Sequence, residues 1–259
     1  MKRIHLFEFG DQAWLPFFLR NYMTDFLQYL SNGARVYAPV VDEIETTLRE
    51  NKLTRIVDLG SGGGGGWLWL SAELKKRIPD LTIKLTDLYP NPDAFQEVAK
   101  KSVVFQFTEQ PIDAREVPED LKGLRTQLLS FHHFKPEEAI RILQNAVDSR
   151  QPLAILEIQD RSVISILTML LSPVSVLLFT PFIRPFRFGR LLFTYLIPVV
   201  PLIVLWDGIV SCLRTYTVEE LKSMVQQVDR HTSFLWKIEK KQAKKGFVIY
   251  LIGQPVKRV

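Results

Sequence analysis

Asp58-Leu59-Gly60-Ser61-Gly62-Gly63-Gly64-Gly65-Gly66 is the stretch on which the reading of this chain turns. It follows the apolar run Leu53 to Val57 and precedes Trp67 to Ile78, a segment with helical spacing. An apolar strand that breaks into glycines and then into a helix opens the cofactor crevice of an α/β domain, because backbone without Cβ atoms can approach a ligand closely. Two templates fit. Gly60, Gly62 and Gly65 satisfy G-x-G-x-x-G, while Asp58, Gly60, Gly62 and Gly64 satisfy acidic-x-G-x-G-x-G. Five consecutive glycines match many patterns, so neither template decides alone.

The charge of the ligand discriminates better. A dinucleotide presents phosphates to the loop and to the helix N-terminus, where a carboxylate two residues before the first glycine would repel them. S-adenosyl-L-methionine has no phosphate, and it carries a positive sulfonium and a positive amino group. Asp58 therefore favours the sulfonium cofactor.

Working outward, strand one is expected at Thr54 to Val57 and strand two at Thr82 to Asp87. Asp87, at the end of strand two, stands where an acidic side chain accepts from ribose hydroxyls, a device common to both cofactor classes. Strand three is expected at Val103 to Phe107, followed by Asp113-Ala114, a pair able to meet the amine and a ring nitrogen of adenine. Strand four, Gln127 to Phe131, runs into His132 and His133, and a helix follows from Pro136 to about Asp148. Strand five, Leu153 to Ile158, ends among Glu157, Gln159 and Asp160. A helix from Val218 to Val228, capped by Thr217, precedes a hairpin of Ser233 to Glu239 and Gly246 to Leu251. The architecture is α/β: a doubly wound, seven-stranded, mostly parallel sheet with an antiparallel C-terminal strand.

Upstream, Trp14, Phe17, Phe18, Tyr22, Phe26, Leu27 and Leu30 recur at helical spacing and predict one amphipathic helix that Ser31, Asn32 and Gly33 end. A second helix is expected at Val41 to Glu50. Glu8, Asp11 and Trp14 are candidates to reach the cofactor or the substrate, with a packing helix and a solvated acidic start as the alternative. Residues 1–50 thus read as an N-terminal helical cap, and 51–160 with 207–259 as the core.

These features together resemble a class I, Rossmann-like, S-adenosylmethionine-dependent methyltransferase, over roughly residues 50–160 and 215–255. The resemblance implies cofactor contacts at Asp58, Gly60, Gly62, Asp87, Asp113 and Ala114, with Ser61, Gly64, Leu88 and Ser130 beside them. Small-molecule methyltransferases of this type often carry a similar histidine pair after strand four. No metal is expected.

Residues 161–206 depart from the family pattern. They are nearly all apolar, broken by Pro173, Pro181, Pro185, Pro198 and Pro201 and by Arg184, Arg187 and Arg190. Two crossings of a bilayer would put the arginine tip on the wrong side for a cytoplasmic enzyme, and the second arm is short and proline-broken. The expectation is a helical hairpin lying on one leaflet or folded over the site as a substrate lid, with a packing element or subunit interface as the alternative. After it, Trp206-Asp207-Gly208 and Arg214-Thr215-Tyr216 form a polar seam. Asp207, Arg214 and Tyr216, with Trp14, are candidates for holding the substrate, and an ion pair between Asp207 and Arg214 is the bland alternative.

Composition sets the remaining limits. The chain has 259 residues, a net charge of +5 and one cysteine, Cys212, which excludes an internal disulfide framework and fits a reducing, cytoplasmic setting, including the inner face of a membrane. The basic cluster Lys237, Lys240, Lys241, Lys244 and Lys245 lacks interleaved aromatics, so a solvated turn is expected there and no nucleic-acid partner. The functional expectation is methyl transfer to an oxygen or nitrogen of a lipophilic small molecule or lipid, with His132 or His133 as base. A nicotinamide-dependent oxidoreductase and a non-catalytic membrane-associated binding protein are the alternatives. Nothing in the sequence fixes the oligomeric state.

Overall fold

Five segments become parallel strands: β1 (Arg55–Leu59), β2 (Thr82–Thr86), β3 (Phe105–Phe107), β4 (Leu124–Leu128) and β5 (Leu153–Glu157). Two longer strands, β6 (Phe234–Gln242) and β7 (Phe247–Pro255), form the closing hairpin. The computed structural model describes residues 1–243 and 246–256, so Lys244 and Lys245 of the basic cluster, and the end of the 207–259 segment, lie outside the described residues. The sheet order is β3-β2-β1-β4-β5-β7-β6, with β7 antiparallel to both of its neighbours. An all-parallel six-stranded dinucleotide sheet has no such strand.

The helices, in chain order, are α1 (Phe17–Gly33), α2 (Val41–Glu50), α3 (Trp67–Arg77), α4 (Pro92–Ala99) and α5 (Pro136–Asp148). Then come α6 (Val163–Leu170), α7 (Ser172–Phe179), α8 (Phe188–Leu191), α9 (Val199–Arg214) and α10 (Val218–Gln226). Side chains alternate across a strand, and both faces of this sheet are covered, so β1 and β5 are largely apolar on both sides, whereas β4 buries Arg125, Thr126 and Gln127. In β1, Ile56 joins a core with Ile44, Leu48, Leu70 and Phe95 on one face. Val57 and Leu59 join Ala139, Leu143, Leu221 and Met224 on the other. Helix α10 opens with a reciprocal cap: Glu220 N–H donates to Thr217 Oγ1 and Thr217 N–H donates to the Glu220 carboxylate.

Strand boundaries moved where the backbone turns. β4 starts at Leu124 and stops at Leu128, because Leu129 takes a left-handed φ of 53° and Phe131–His133 is a 3₁₀ turn. β3 begins at Phe105, two residues late, since Val103 is exposed. Helix α1 differs more. Its buried residues are Leu19, Tyr22, Met23, Phe26 and Ser31, whereas Trp14 precedes the helix and Phe17, Phe18, Leu27 and Leu30 face outward. The helix is apolar on two faces, and spacing alone could not say which would be covered.

Helix α1 also accounts for glycines beyond the fingerprint. Gln28 donates to Gly63 O, Asn32 donates to Gly65 O, and Asn32 Oδ1 accepts from Trp69 N–H, which ties the helix to the loop and to the start of α3. Behind it, a Cβ on Gly66 would lie 2.2 Å from the ring of fully buried Tyr37. Gly66→Ala is expected to destabilise the fold by about 1–3 kcal/mol through overpacking, measured by denaturant unfolding. An unchanged midpoint would show that Tyr37 gives way freely.

The apolar insertion forms a third layer. Leu19, Tyr22, Met23 and Phe26 of α1 meet Val176 of α7 and Val200, Ile203 and Val204 of α9. Among the described residues no single helix is long and apolar enough to cross a membrane, although the pairs Val163–Leu170 with Ser172–Phe182 and Phe188–Leu196 with Val199–Arg214 are long enough together, bent by 41° and 77°. Helix α9 runs unbroken through Trp206, Asp207 and Gly208 to Arg214. The polar seam from Trp206 to Arg214 is thus one helix, with Thr215 and Tyr216 just past its end, and the boundary at 206/207 falls inside it.

Candidate active site

Parallel strands bring their C-terminal ends to one edge, so the polar residues that follow β1, β2, β4 and β5 converge. The glycine loop is stitched to β2 there. Ser61 N–H donates to Thr86 O, Thr86 N–H to Ser61 Oγ, and Thr86 Oγ1 to Asp58 O. Gly60, with φ +70°, comes so near Ser130 that a Cβ would lie 3.3 Å from the serine side chain. Only glycine permits that approach, and it sets the loop beside the chain leading into His132.

Asp58 is buried, its two oxygens each accepting one bond of 2.7 Å, from Ser61 Oγ and Thr126 Oγ1. Burial pushes its pKa up to about 6 despite those bonds, with the charge of Asp87 adding to the rise. Asp87 accepts from Gly62 N–H at 2.8 Å and from Tyr89 N–H at 2.9 Å, and its own pKa is raised by burial. Leu88, beside it, is exposed and Ala114 is buried. Ile112 N–H donates to Asp87 O, which joins the Asp113-Ala114 loop to the end of β2. The Asp113 carboxylate is gripped by Arg115 through Nε at 2.9 Å and a terminal nitrogen at 2.7 Å, and that bonding lowers its pKa. The carboxylate expected to face adenine thus already holds a guanidinium.

Beyond Ser130 the two histidines stack with ring centroids 4.3 Å apart. His132 is buried, and its Nδ1 lies 2.9 Å from Glu157 Oε2 at the end of β5. Gln159 Nε2 donates to the same oxygen at 3.1 Å. A carboxylate on Nδ1 fixes the proton there, leaving Nε2 as the basic nitrogen. Among the described residues His132 Nε2 has no hydrogen-bond partner, and the nearest carboxylate oxygen is Glu8 Oε1 at 3.7 Å.

His133 is set differently. Its Nδ1 is 2.9 Å from Asp11 Oδ1 and 3.8 Å from Glu8 Oε2. Burial opposes its charged form, but the charge of Glu8 and the bond to Asp11 outweigh burial and raise the pKa to about 9. His133 is therefore placed to keep its proton at neutral pH. The sign of the linkage follows. A pKa raised from 6.5 to about 9 stabilises the fold fully below about pH 6.5, and that contribution is lost as pH rises through 9. The stability difference between the wild type and His133→Gln is expected to shrink across that window in denaturant titrations; a difference independent of pH would refute the ion pairing.

Glu8 and Asp11 come from an N-terminal strap lying along α9. Ile4 N–H donates to Leu213 O, Arg214 Nε to Leu6 O, and Trp206 Nε1 to Phe7 O. The Asp207 carboxylate accepts from Phe9 N–H at 2.7 Å and Gly10 N–H at 2.9 Å, and burial raises its pKa to about 6. Arg214 pairs with Asp11 at 2.8 Å and Glu8 at 3.1 Å, so the considered Asp207–Arg214 pair does not form. Tyr216 donates its hydroxyl to Phe134 O, and Arg3 lies 4.1 Å above its ring. Three of the four expected substrate contacts, Asp207, Arg214 and Tyr216, thus bind the chain to itself. The fourth, Trp14, is exposed and meets Phe9 edge-on.

Ligand atoms of Glu8, His132 and His133 lie within 4.8 Å of one another, a spacing compatible with a metal ion. The Arg214 guanidinium, 3.1 Å from Glu8 and 3.3 Å from His133 Nδ1, already places a cation among them. That donor set fits an ion-pair network better than a metal centre.

Sequence reading missed Arg3 and the pairing of Glu157 with His132. Glu157 carried a signal, a carboxylate closing an apolar strand; Arg3 carried none.

No protein-family model matches the chain, and no curated protein matches it. Solved structures do. PigF with SAH aligns at a TM-score of 0.50 and 16% identity, covering 95% of this chain and 64% of that one. Human N-acetylserotonin methyltransferase with SAM aligns at 0.49 and 15%, covering 98% and 63%. A Rhodobacter sphaeroides protein assigned as a Zn-dependent alcohol dehydrogenase aligns at 0.50 and 13%, covering 91% and 98%. The chain spans 57%, 59% and 63% of the first three methyltransferases it matches. Identities this low speak to fold alone, and the seven-stranded sheet with antiparallel β7 is the fold that this chain shares with PigF.

Proposed function

We propose that the protein is a methyltransferase that uses S-adenosyl-L-methionine to methylate a hydroxyl of a lipophilic small molecule or lipid, at a membrane surface. The observation that carries the reading is the His132–Glu157 dyad, at 2.9 Å, on the same sheet edge as the glycine loop and its acids. A hydroxyl acceptor needs a base, whereas an amine acceptor does not, so the dyad favours oxygen over nitrogen.

The residues present suit the cofactor. Asp58 and Asp87 put two carboxylates beside the glycines, and residues 58–66 hold no lysine or arginine to meet a phosphate. Gly60, Ser61, Gly62 and Gly64 would line the methionine and ribose side, with Asp87 and Leu88 at the ribose. Ala114 would meet the adenine, and Asp113 would contribute there only beyond its grip on Arg115. When bound, the cofactor supplies a methyl group on a positively charged sulfur. The protein's share is to hold the acceptor oxygen, exclude water and take its proton on His132 Nε2, with Glu157 stabilising the resulting imidazolium.

The lipophilic acceptor and the membrane surface rest on the insertion. Val163 to Ile183 contains no charged residue, and Ile164, Leu171, Leu178 and Phe182 are each more than 60% exposed. An outward apolar face of that extent has a partner. A cytoplasmic protein on the inner face of a membrane fits the single cysteine, Cys212, whose buried thiol is pushed up to about 12.

Isothermal titration with S-adenosylhomocysteine and with a nicotinamide dinucleotide, followed by transfer of labelled methyl groups to a lipid extract, tests the proposal. Binding of the first ligand alone and label in the extract are expected. Tight binding of the dinucleotide instead would revive the oxidoreductase, and binding without transfer would favour the non-catalytic alternative.

A further inference from the structure

The tip of the apolar insertion alternates aromatic and cationic residues: Phe182-Ile183-Arg184-Pro185-Phe186-Arg187-Phe188. Phe182, Phe186 and Phe188 are 63%, 59% and 76% exposed, an arrangement with no use inside a folded core. Behind them lies a cavity of about 320 Å³ into which Arg184 and Arg187 are joined by Lys100 and Lys101 from the end of α4.

Asp25, Asp93 and Glu97 also line this cavity, so the balance of charge has to be worked through. Asp25 is taken by Arg190 at 2.5 Å and lies 3.7 Å from Arg187. Glu97 is taken by Lys100 at 2.7 Å. Asp93 sits in the first turn of α4, where the helix dipole favours a carboxylate. Lys101 reaches only the amide oxygen of Gln28, at 3.3 Å, and Arg184 only Pro181 O, at 3.1 Å. Among the described residues these two exposed cations have no carboxylate partner, and both line one cavity at the foot of an exposed aromatic rim.

Phenylalanines that enter the acyl boundary beside cations that stay at headgroup depth make up an interfacial anchor, and arginine and lysine at that depth bind lipid phosphate. We propose that this tip docks on a membrane and that the cavity between Arg184 and Lys101 receives the phosphate of a lipid headgroup, with anionic lipids preferred. The inference rests on the membrane-surface reading and adds the headgroup it selects. A second copy of the chain is a poorer occupant, since two such tips would bring like charges together.

The test compares the full chain with Lys101→Gln/Arg184→Gln in co-sedimentation with phosphatidylcholine vesicles, with and without phosphatidylserine. Both side chains are exposed, so an unchanged melting midpoint serves as the folding control. Each cation at the surface is worth about fivefold in binding, so the double variant is expected to lose about 25-fold on the anionic vesicles and clearly less on the neutral ones, whose headgroup phosphate is offset by choline. Equal binding of the two proteins to anionic vesicles would overturn the headgroup assignment and leave the membrane reading standing. Binding of neither protein to either vesicle would remove the membrane reading, and the assignment with it. Titration with inorganic phosphate alone is expected to give no saturable heat; a saturable signal lost in the double variant would replace the lipid by a free phosphate.

Discussion

His132→Gln is expected to lower the rate of methyl transfer by a factor of about 10² to 10⁴ while S-adenosylhomocysteine binds as in the wild type. Glutamine retains a polar side chain of similar reach and removes the basic nitrogen. The effect should fall on kcat and on kcat/KM alike, because proton removal belongs to the transition state and not to ground-state binding. Glu157→Gln should give a smaller loss. It keeps an acceptor near His132 Nδ1, at 2.9 Å in the wild type, but removes the charge that stabilises the imidazolium. If His132→Gln turns over normally, the acceptor needs no base and an amine becomes the better substrate. If it loses the cofactor as well, His132 shapes the donor site instead.

The same comparison separates the two histidines. Both were visible in the sequence as one pair, and nothing in their spacing distinguished them. Their surroundings diverge through partners far away in the chain: Glu157, on the neighbouring strand, and Glu8 with Asp11, on the strap.

What could be read from sequence was what local chemistry dictates. The glycine loop, the apolar strands and the caps at Pro136 and Thr217 announce themselves within a few residues. Asp58 was read for its charge alone, and its bond to Thr126 Oγ1, across to the adjacent strand, needed the sheet register. Asp113 looked free because the turn that swings Arg115 back onto it leaves no periodic trace. Phe17 and Phe18 of α1 looked like core because hydrophobic spacing identifies an apolar face without naming what covers it. The strap was invisible for a related reason: residues 3–11 have no pattern of their own and take their conformation from α9, some 200 positions later.

That dependence makes Arg214 the most consequential side chain of the N-terminal region. It is 3% exposed, donates to Leu6 O, and pairs with Glu8, itself 4% exposed, and with Asp11. Arg214→Met keeps the apolar stem and deletes the charge, leaving buried Glu8, with Asp11, to face His133 without their arginine. Breaking one partner of a buried pair costs about 3–5 kcal/mol. The strap can escape that cost by lifting off, so the global midpoint should fall by less than the local penalty. The loss should appear first in amide exchange at Ile4, Phe9 and Gly10, whose N–H groups donate to Leu213 O and to the Asp207 carboxylate. Exchange there is expected to quicken by at least about a hundredfold, the equivalent of roughly 3 kcal/mol, while amides of β1 and β4 keep their protection. Arg214→Lys should restore part of it, since lysine returns the charge without the fork that reaches three oxygens at once. Unchanged exchange at those three amides in Arg214→Met would mean that Asp207, Trp206, Arg3 and the backbone bond to Leu213 O hold the strap without the Arg214 guanidinium, and that Glu8 stays beside the histidines without its arginine.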